Sequence, residues 1–215
     1  MRIEDCNFIN GSAGKSGGFV YILSYAVNGT ILNCNFTNSA ARWGGAIRWQ
    51  SANDGKIINS TFIGCRGNSR VSDLGGAVYW RTANDGQITG CTFINCSSGI
   101  GGSVYASGKN VMIDNCNFSN SYSLGTGSSI YCSADDAVIF KCNFWNSSVN
   151  ETSDSITGAI AWASATGNIF NCTVSQSDAS YALYIDGYYN LDGIVFLSKG
   201  IADEVDGGLQ FFLDL

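Results

Sequence analysis

Residues Cys91–Asn95 read CTFIN, and the same figure, Cys-x-Phe-x-Asn, returns along the chain. It stands as CNFIN at Cys6–Asn10, CNFTN at Cys34–Asn38, CNFSN at Cys116–Asn120 and CNFWN at Cys142–Asn146. Degenerate copies are STFIG at Ser60–Gly64, CTVSQ at Cys172–Gln176 and IVFLS at Ile194–Ser198. The central apolar residues (Phe8, Phe36, Phe62, Phe93, Phe118, Phe144, Val174, Phe196) are spaced by 28, 26, 31, 25, 26, 30 and 22. Five residues before each lies Ile3, Ile31, Ile57, Ile88, Ile113, Ile139, Ile169 or Leu191, a column without exception.

A second block precedes each copy. It reads GGFVYI from Gly17, GGAIRW from Gly44, GGAVYW from Gly75 and GGSVYA from Gly101, then drifts to GSSIYC, TGAIAW and SYALYI. Residues two apart share a strand face. Val20, Ile47, Val78, Val104, Ile130, Ile160 and Leu183 therefore face inward with Ile22, Trp49, Trp80, Ala106, Cys132, Trp162 and Ile185. The interleaved Tyr21, Arg48, Tyr79, Tyr105, Tyr131, Ala161 and Tyr184 are expected to face outward.

Alternating apolar positions and β-branched or aromatic residues fit strands and no helix template. A period of 22–31 residues, with turns such as Asn28-Gly29, Asp54-Gly55 and Asp85-Gly86, predicts an all-β solenoid. The expected fold is a right-handed parallel β-helix of about eight coils, forming one domain over residues 1–215. The composition agrees. Proline is absent, as a ladder donating every N–H requires. Charged residues are 13% against a usual ~25%. Gly207-Gly208-Leu209 reads as the start of a further coil that stops at Leu215, so a segment of a longer array, or a chain whose last strand acts as a plug, is expected.

Other classes fall away. A net charge of −6 does not suit a nucleic-acid partner. No apolar run is long enough for a membrane-spanning helix, and MRIEDCNF lacks a signal-peptide core. Without histidine or a Cys-x-x-Cys pair, neither a metal nor another cofactor is expected.

The pairing of GGA[IV] with [CN]xFxN resembles the repeats of the polymorphic outer membrane protein family and adhesin-like β-helix proteins, over residues 1 to about 200. Here the repeat is Phe-x-Asn, one residue shorter than the family's Phe-x-x-Asn, with an added cysteine column. The resemblance implies an extracellular or cell-surface location and a role in adhesion or as a stalk. It implies no catalytic residues.

The candidate binding face is the outward column Tyr21, Arg48, Tyr79, Tyr105, Tyr131 and Tyr184, because flat rings with polar tips suit a glycan or protein on another cell or matrix. The longer connections Cys65–Leu74 and Trp145–Ser155 flank it. Two alternatives stand beside the adhesin: a carbohydrate-active β-helix enzyme (lyase or hydrolase) and a purely structural spacer. An enzyme needs converging carboxylates. Asp54, Asp85 and Asp135 are read as equivalent turn positions along one edge. Six cysteines (Cys6, Cys34, Cys91, Cys116, Cys142, Cys172) form one column, expected as a ladder of small buried residues. Cys65 and Cys96, three residues after a motif Phe in adjacent coils, are the disulfide candidates. The Asn column after Phe is expected to stack as a hydrogen-bonded ladder.

Truncation of an interior column is the first test. Phe93→Ala is expected to cost about 3–5 kcal/mol in denaturant unfolding, as a large-to-small core change. Unfolding at the parent's midpoint would contradict burial of that column.

Overall fold

The computed structural model describes residues 1–150, 158–164, 166–175, 181–185, 190–192 and 195–196. The chain winds as a parallel solenoid whose strands stack on three faces. The Ile face runs from Arg2–Glu4 through Thr30–Leu32 and Lys56–Ile58 to Asn190–Asp192, eight strands among the described residues. The Phe face runs from Asn7–Ile9 through Asn35–Thr37 and Thr61–Ile63 to Val195–Phe196, again eight. The Gly-Gly face runs from Val20–Ile22 through Ile47–Gln50 and Val78–Arg81 to Tyr181–Ile185, seven strands. A short ladder of Ser97–Ser98, Tyr122–Ser123 and Ser148–Val149 fills one corner.

Pairing is in register on every face. Ile57, Ile88 and Ile113 are opposed, as are Phe62, Phe93 and Phe118, and Val78, Val104 and Ile130. The Phe rings stack at 4.8–4.9 Å and within 6° of parallel. From the second rung to Ile160, Ile169 and Val174 these columns are sealed from solvent; Ile3, Phe8 and Val20, on the first rung, and Leu183 are only partly buried. Gly207-Gly208-Leu209, read as a further coil, lies outside the described residues.

Corners are set by left-handed residues. Asn10, Asn38, Asn95, Asn120 and Asn146 all have φ between 51° and 58°. Asparagine tolerates this region better than other side chains, so the Asn column is first a backbone requirement. The ladder is present too: Asn38 Nδ2 donates to Asn10 Oδ1 at 3.4 Å and Asn146 Nδ2 to Asn120 Oδ1 at 2.6 Å. Gly44 occupies the same region with φ 66°, and a Cβ on the next residue, Gly45, would sit 2.0 Å from the Gly76 carbonyl one rung on. The doublet thus supplies a turn and then a close approach.

The cysteine column follows such a corner. From Cys34 onward each thiol lies near two carbonyls, one two residues back and one on the preceding rung. Cys116 Sγ is 3.2 Å from Asp114 O and 3.5 Å from Ile88 O, and Cys91 and Cys142 repeat the pattern. Ser60, standing in the gap, donates to Ile58 O at 2.9 Å. Cys65 and Cys96 occupy the equivalent place after the Phe face, in a column with Ser39, Ser121 and Ser147. The candidate disulfide between them is not formed. Both are free and buried, with Cys65 Sγ directed at Phe36 O and Cys96 Sγ at Phe62 O. In-register stacking points both side chains the same way, towards carbonyls, and a bridge needs them turned towards each other.

Inside, the Trp column is matched to the turn that faces it. Trp49 and Trp80 stack at 4.6 Å, and their indole N–H groups donate to Ala52 O and Ala83 O. A Cβ on Gly86 would lie 2.2 Å from the Trp80 ring, and one on Gly55 2.1 Å from Trp49. Where the column carries the small Ala106 or Cys132, the facing residue becomes Val111 or Ala137, both buried. Large and small residues are exchanged within each rung to keep it filled.

This complementarity is testable. Gly86→Val and Trp80→Ala should each destabilise, the second by about 3–5 kcal/mol. The double variant reproduces the Ala106/Val111 rung and should cost at least ~1 kcal/mol less than the sum. Strict additivity would show that the two positions do not share a space.

The thiols give a second test. Burial pushes the Cys132 thiol up to about 12 and raises Cys34 and Cys96 above the ordinary range. Hydrogen bonds from Cys142 and Cys91 lower the Cys116 thiol against the opposing effect of burial, and one from Cys142 lowers Cys172, while the same contacts and burial raise Cys91 and Cys142. Titration should find Cys34, Cys91, Cys116, Cys142 and Cys172 unreactive until denaturation. An unfolded thiol ionises near ~8.5, so the folded state should lose stability as pH rises from there towards 12. Rapid native labelling of these five would contradict the column's burial.

Candidate functional site

The Gly-Gly face brings Tyr21, Arg48, Tyr79, Tyr105, Tyr131, Ala161 and Tyr184 into one row through consecutive strand pairs. The expectation that the whole row faces solvent is corrected. Tyr21 is 45% exposed, but Arg48 is only 5% and Tyr79 only 7%. Tyr105, Tyr131 and Tyr184 are half-buried. Tyr105 and Tyr131 stack at 4.9 Å and 24°, whereas Tyr79 meets Tyr105 edge-on at 5.2 Å and 71°.

The burial of Arg48 comes from Trp43, which stands immediately before the Gly-Gly doublet. Ser16, Trp43, Leu74 and Ile100, all just before a Gly-Gly pair, bridge one another in register and form a ridge along the row. The Arg48 guanidinium lies 4.8 Å from the Trp43 ring centroid, 4.9 Å from Tyr21 and 5.7 Å from Tyr79. It donates to Ser16 Oγ and to Gln50 Oε1, which also accepts the Tyr21 hydroxyl at 2.9 Å. No carboxylate pairs with Arg48 among the described residues. Cation–π contacts to three rings take that place.

Arg42, one residue earlier, flanks the same indole at 5.2 Å and reaches the Asp73 carboxylate at 3.6 Å. Asp73 is fully buried at the end of the longer third-coil connection, and its Oδ2 accepts the Arg70 N–H at 2.9 Å. That connection is tied down by Gly67 N–H to Ser97 O at 2.7 Å and Ile100 N–H to Asp73 O at 2.9 Å. Of the other connection, Trp145–Ser155, residues 151–155 lie outside the described residues; Trp145 is 46% exposed on the Phe face.

Burial raises the Tyr79 phenol above its usual value, opposed by the charges of Arg81 and Arg48. Arg81 pairs in register with Gln50 on the strand bearing Tyr79. Trp43, Arg42 and Gln50 are the site residues that column reading misses. The signal for Trp43 was its place in the connection, outside both inward columns.

The carboxylates lie elsewhere. The left-handed turn column is Asn28, Asp54, Asp85, Asn110 and Asp136, so Asp136, not Asp135, is the equivalent of Asp54 and Asp85. Asp135 accepts the Ser164 hydroxyl, and Asp136 lies 3.4 Å from Lys109.

No curated protein matches the chain. Among solved structures, full-length QnrB1, a plasmid-mediated fluoroquinolone resistance protein, is 10% identical. That likeness covers 91% of this chain and 93% of that one, with a TM-score of 0.34. The deglycosylated pectin methylesterase from Aspergillus niger is 11% identical over 97% of this chain and 82% of that one, with a TM-score of 0.40. The in-register parallel faces and the match of residues 1–144 to the family described as "right handed beta helix region" place this protein in that family.

Proposed function

We propose that this chain is a non-enzymatic, adhesin-like β-helix segment displayed outside the cell, which binds a glycan or protein on another cell or matrix through its Gly-Gly face. The observation that carries the reading is the Tyr105–Tyr131 pair, stacked at 4.9 Å, in one row with the exposed Tyr21. Neighbouring rungs already fix these rings, so binding costs little further side-chain entropy. The resemblance of the repeats to those of polymorphic outer membrane proteins supports surface display. A repeating row suits an extended partner, with modest affinity at each rung and gain from many rungs.

The test is Tyr21, Tyr105 and Tyr131 replaced together by Ser, leaving the buried Tyr79 in place. Binding on an array of glycans and matrix proteins should be lost while the melting transition stays cooperative. A triple variant that retains the parent's ligands would mean that this face is scaffold.

A further inference from the structure

Charge on this chain is unevenly placed. Six of its eleven basic residues, Lys15, Arg42, Arg48, Arg66, Arg70 and Arg81, lie between the Phe strand and the end of the Gly-Gly strand in the first three coils. The same stretches hold one acid, Asp73, which is buried and lies against Arg42. The ion pairs among the described residues are Arg2–Glu4, Arg42–Asp73 and Lys109–Asp136, so the other five cations of this group have no carboxylate partner there. On a protein of net charge −6, these rungs carry positive charge beside aromatic rings.

The arrangement at Trp43 is more specific than charge alone. One indole has two guanidinium carbons within 5.2 Å of its centroid. The Arg48 Nε–H is buried and lacks a hydrogen-bond partner; the Arg42 Nε–H is buried too and faces Asp73 Oδ1 at 3.6 Å, while Arg42 Nη2 donates to Ser72 Oγ at 3.3 Å. Arg48 is too deep to meet a ligand; it sets the positions of Trp43 and Tyr21 and adds its charge from beneath. Arg42, partly exposed, and the exposed Arg81 are the groups that can reach outward, on the two rungs that follow the one bearing the exposed ring of Tyr21. A planar guanidinium fork matches a carboxylate or sulfate, and a fixed aromatic ring matches the apolar face of a sugar.

Resting on the reading of this face as a binding surface, we propose that its ligand is an acidic glycan, whose anionic groups are taken by Arg42 and Arg81 and whose sugar ring lies against Tyr21 and Trp43. Carboxylate and sulfate share the chemistry required.

Binding of the whole chain to polygalacturonate, heparin, neutral dextran and polyglutamate separates the outcomes. Polygalacturonate, heparin or both should bind, weakening as salt rises, and which of them binds tells carboxylate from sulfate. Dextran and polyglutamate should bind at least about tenfold more weakly, since each lacks half of the recognition. Arg81→Gln, which breaks no ion pair, should weaken acidic-glycan binding about tenfold with an unchanged melt, the loss of one charge-assisted contact. Arg42→Gln should do the same, read alongside its melt because Asp73 loses its partner. Dextran or polyglutamate binding as tightly as the acidic glycans, or an Arg81→Gln variant binding like the parent, would overturn the proposal. If neutral glycans bind and only the tyrosine variant abolishes it, the face binds but not through charge. If none of the four probes binds, the acidic-glycan assignment fails, and the array test of the tyrosine variant decides on the face itself.

Discussion

Each residue on the three faces lies over its equivalents one rung away, and the parallel backbone pairing that enforces this is the constraint from which the other features follow. A parallel ladder in register repeats side chains at the strand spacing of ~4.8 Å, which is where the Phe rings stand. A side chain must therefore be compatible with a near copy of itself above and below. Flat rings, branched aliphatics and hydrogen-bonding amides satisfy that condition; unscreened like charges do not. The low charge content and the absence of proline are consequences of the same stacking.

The constraint also explains which parts of the molecule sequence could reveal. The Ile and Phe columns were legible because a residue that must stack on itself recurs in every coil. The left-handed corners were visible only as Asn or Gly after the strand, and their backbone role appears with φ. The burial of Arg48 and Tyr79 was not legible, because it depends on a ridge contributed by the connections, where Ser16, Trp43 and Leu74 differ in type and so form no column. Cys65 and Cys96 were misread for a related reason. Their proximity was visible, but the direction of both thiols towards carbonyls is set by the corner that precedes them. The pairing of Trp80 with Gly86 and of Ala106 with Val111 was present in the sequence as a covariation within rungs, hidden by treating each column separately.

A filled interior directs function to the outside. With Trp, Phe and Ile sealing the interior from the second rung to Val174, the proposed recognition falls to outward rows and to connections that break the repeat. The Gly-Gly face has both: an ordered tyrosine row, and at its start an aromatic and arginine cluster that departs from the repeat. Departure from a structural repeat is informative here because the repeat itself accounts for the recurring columns without reference to a ligand. The energy that holds Arg48 away from solvent without a carboxylate comes from the three rings around it and two hydrogen bonds, an arrangement that also fixes the rings a ligand would meet.

The account depends most directly on the register between rungs, which can be measured in solution. In a deuterated, amide-protonated sample, NMR cross-relaxation between backbone amides reports which residues lie opposite each other across parallel strands. The structure pairs Phe62 with Phe93 and Phe93 with Phe118, with Thr61, Thr92 and Asn117 in the neighbouring row. Cross-peaks should follow that alignment on all three faces. A pattern displaced by one residue on any face would turn its inward column outward and contradict the interior columns, the corner geometry and the proposed binding face together.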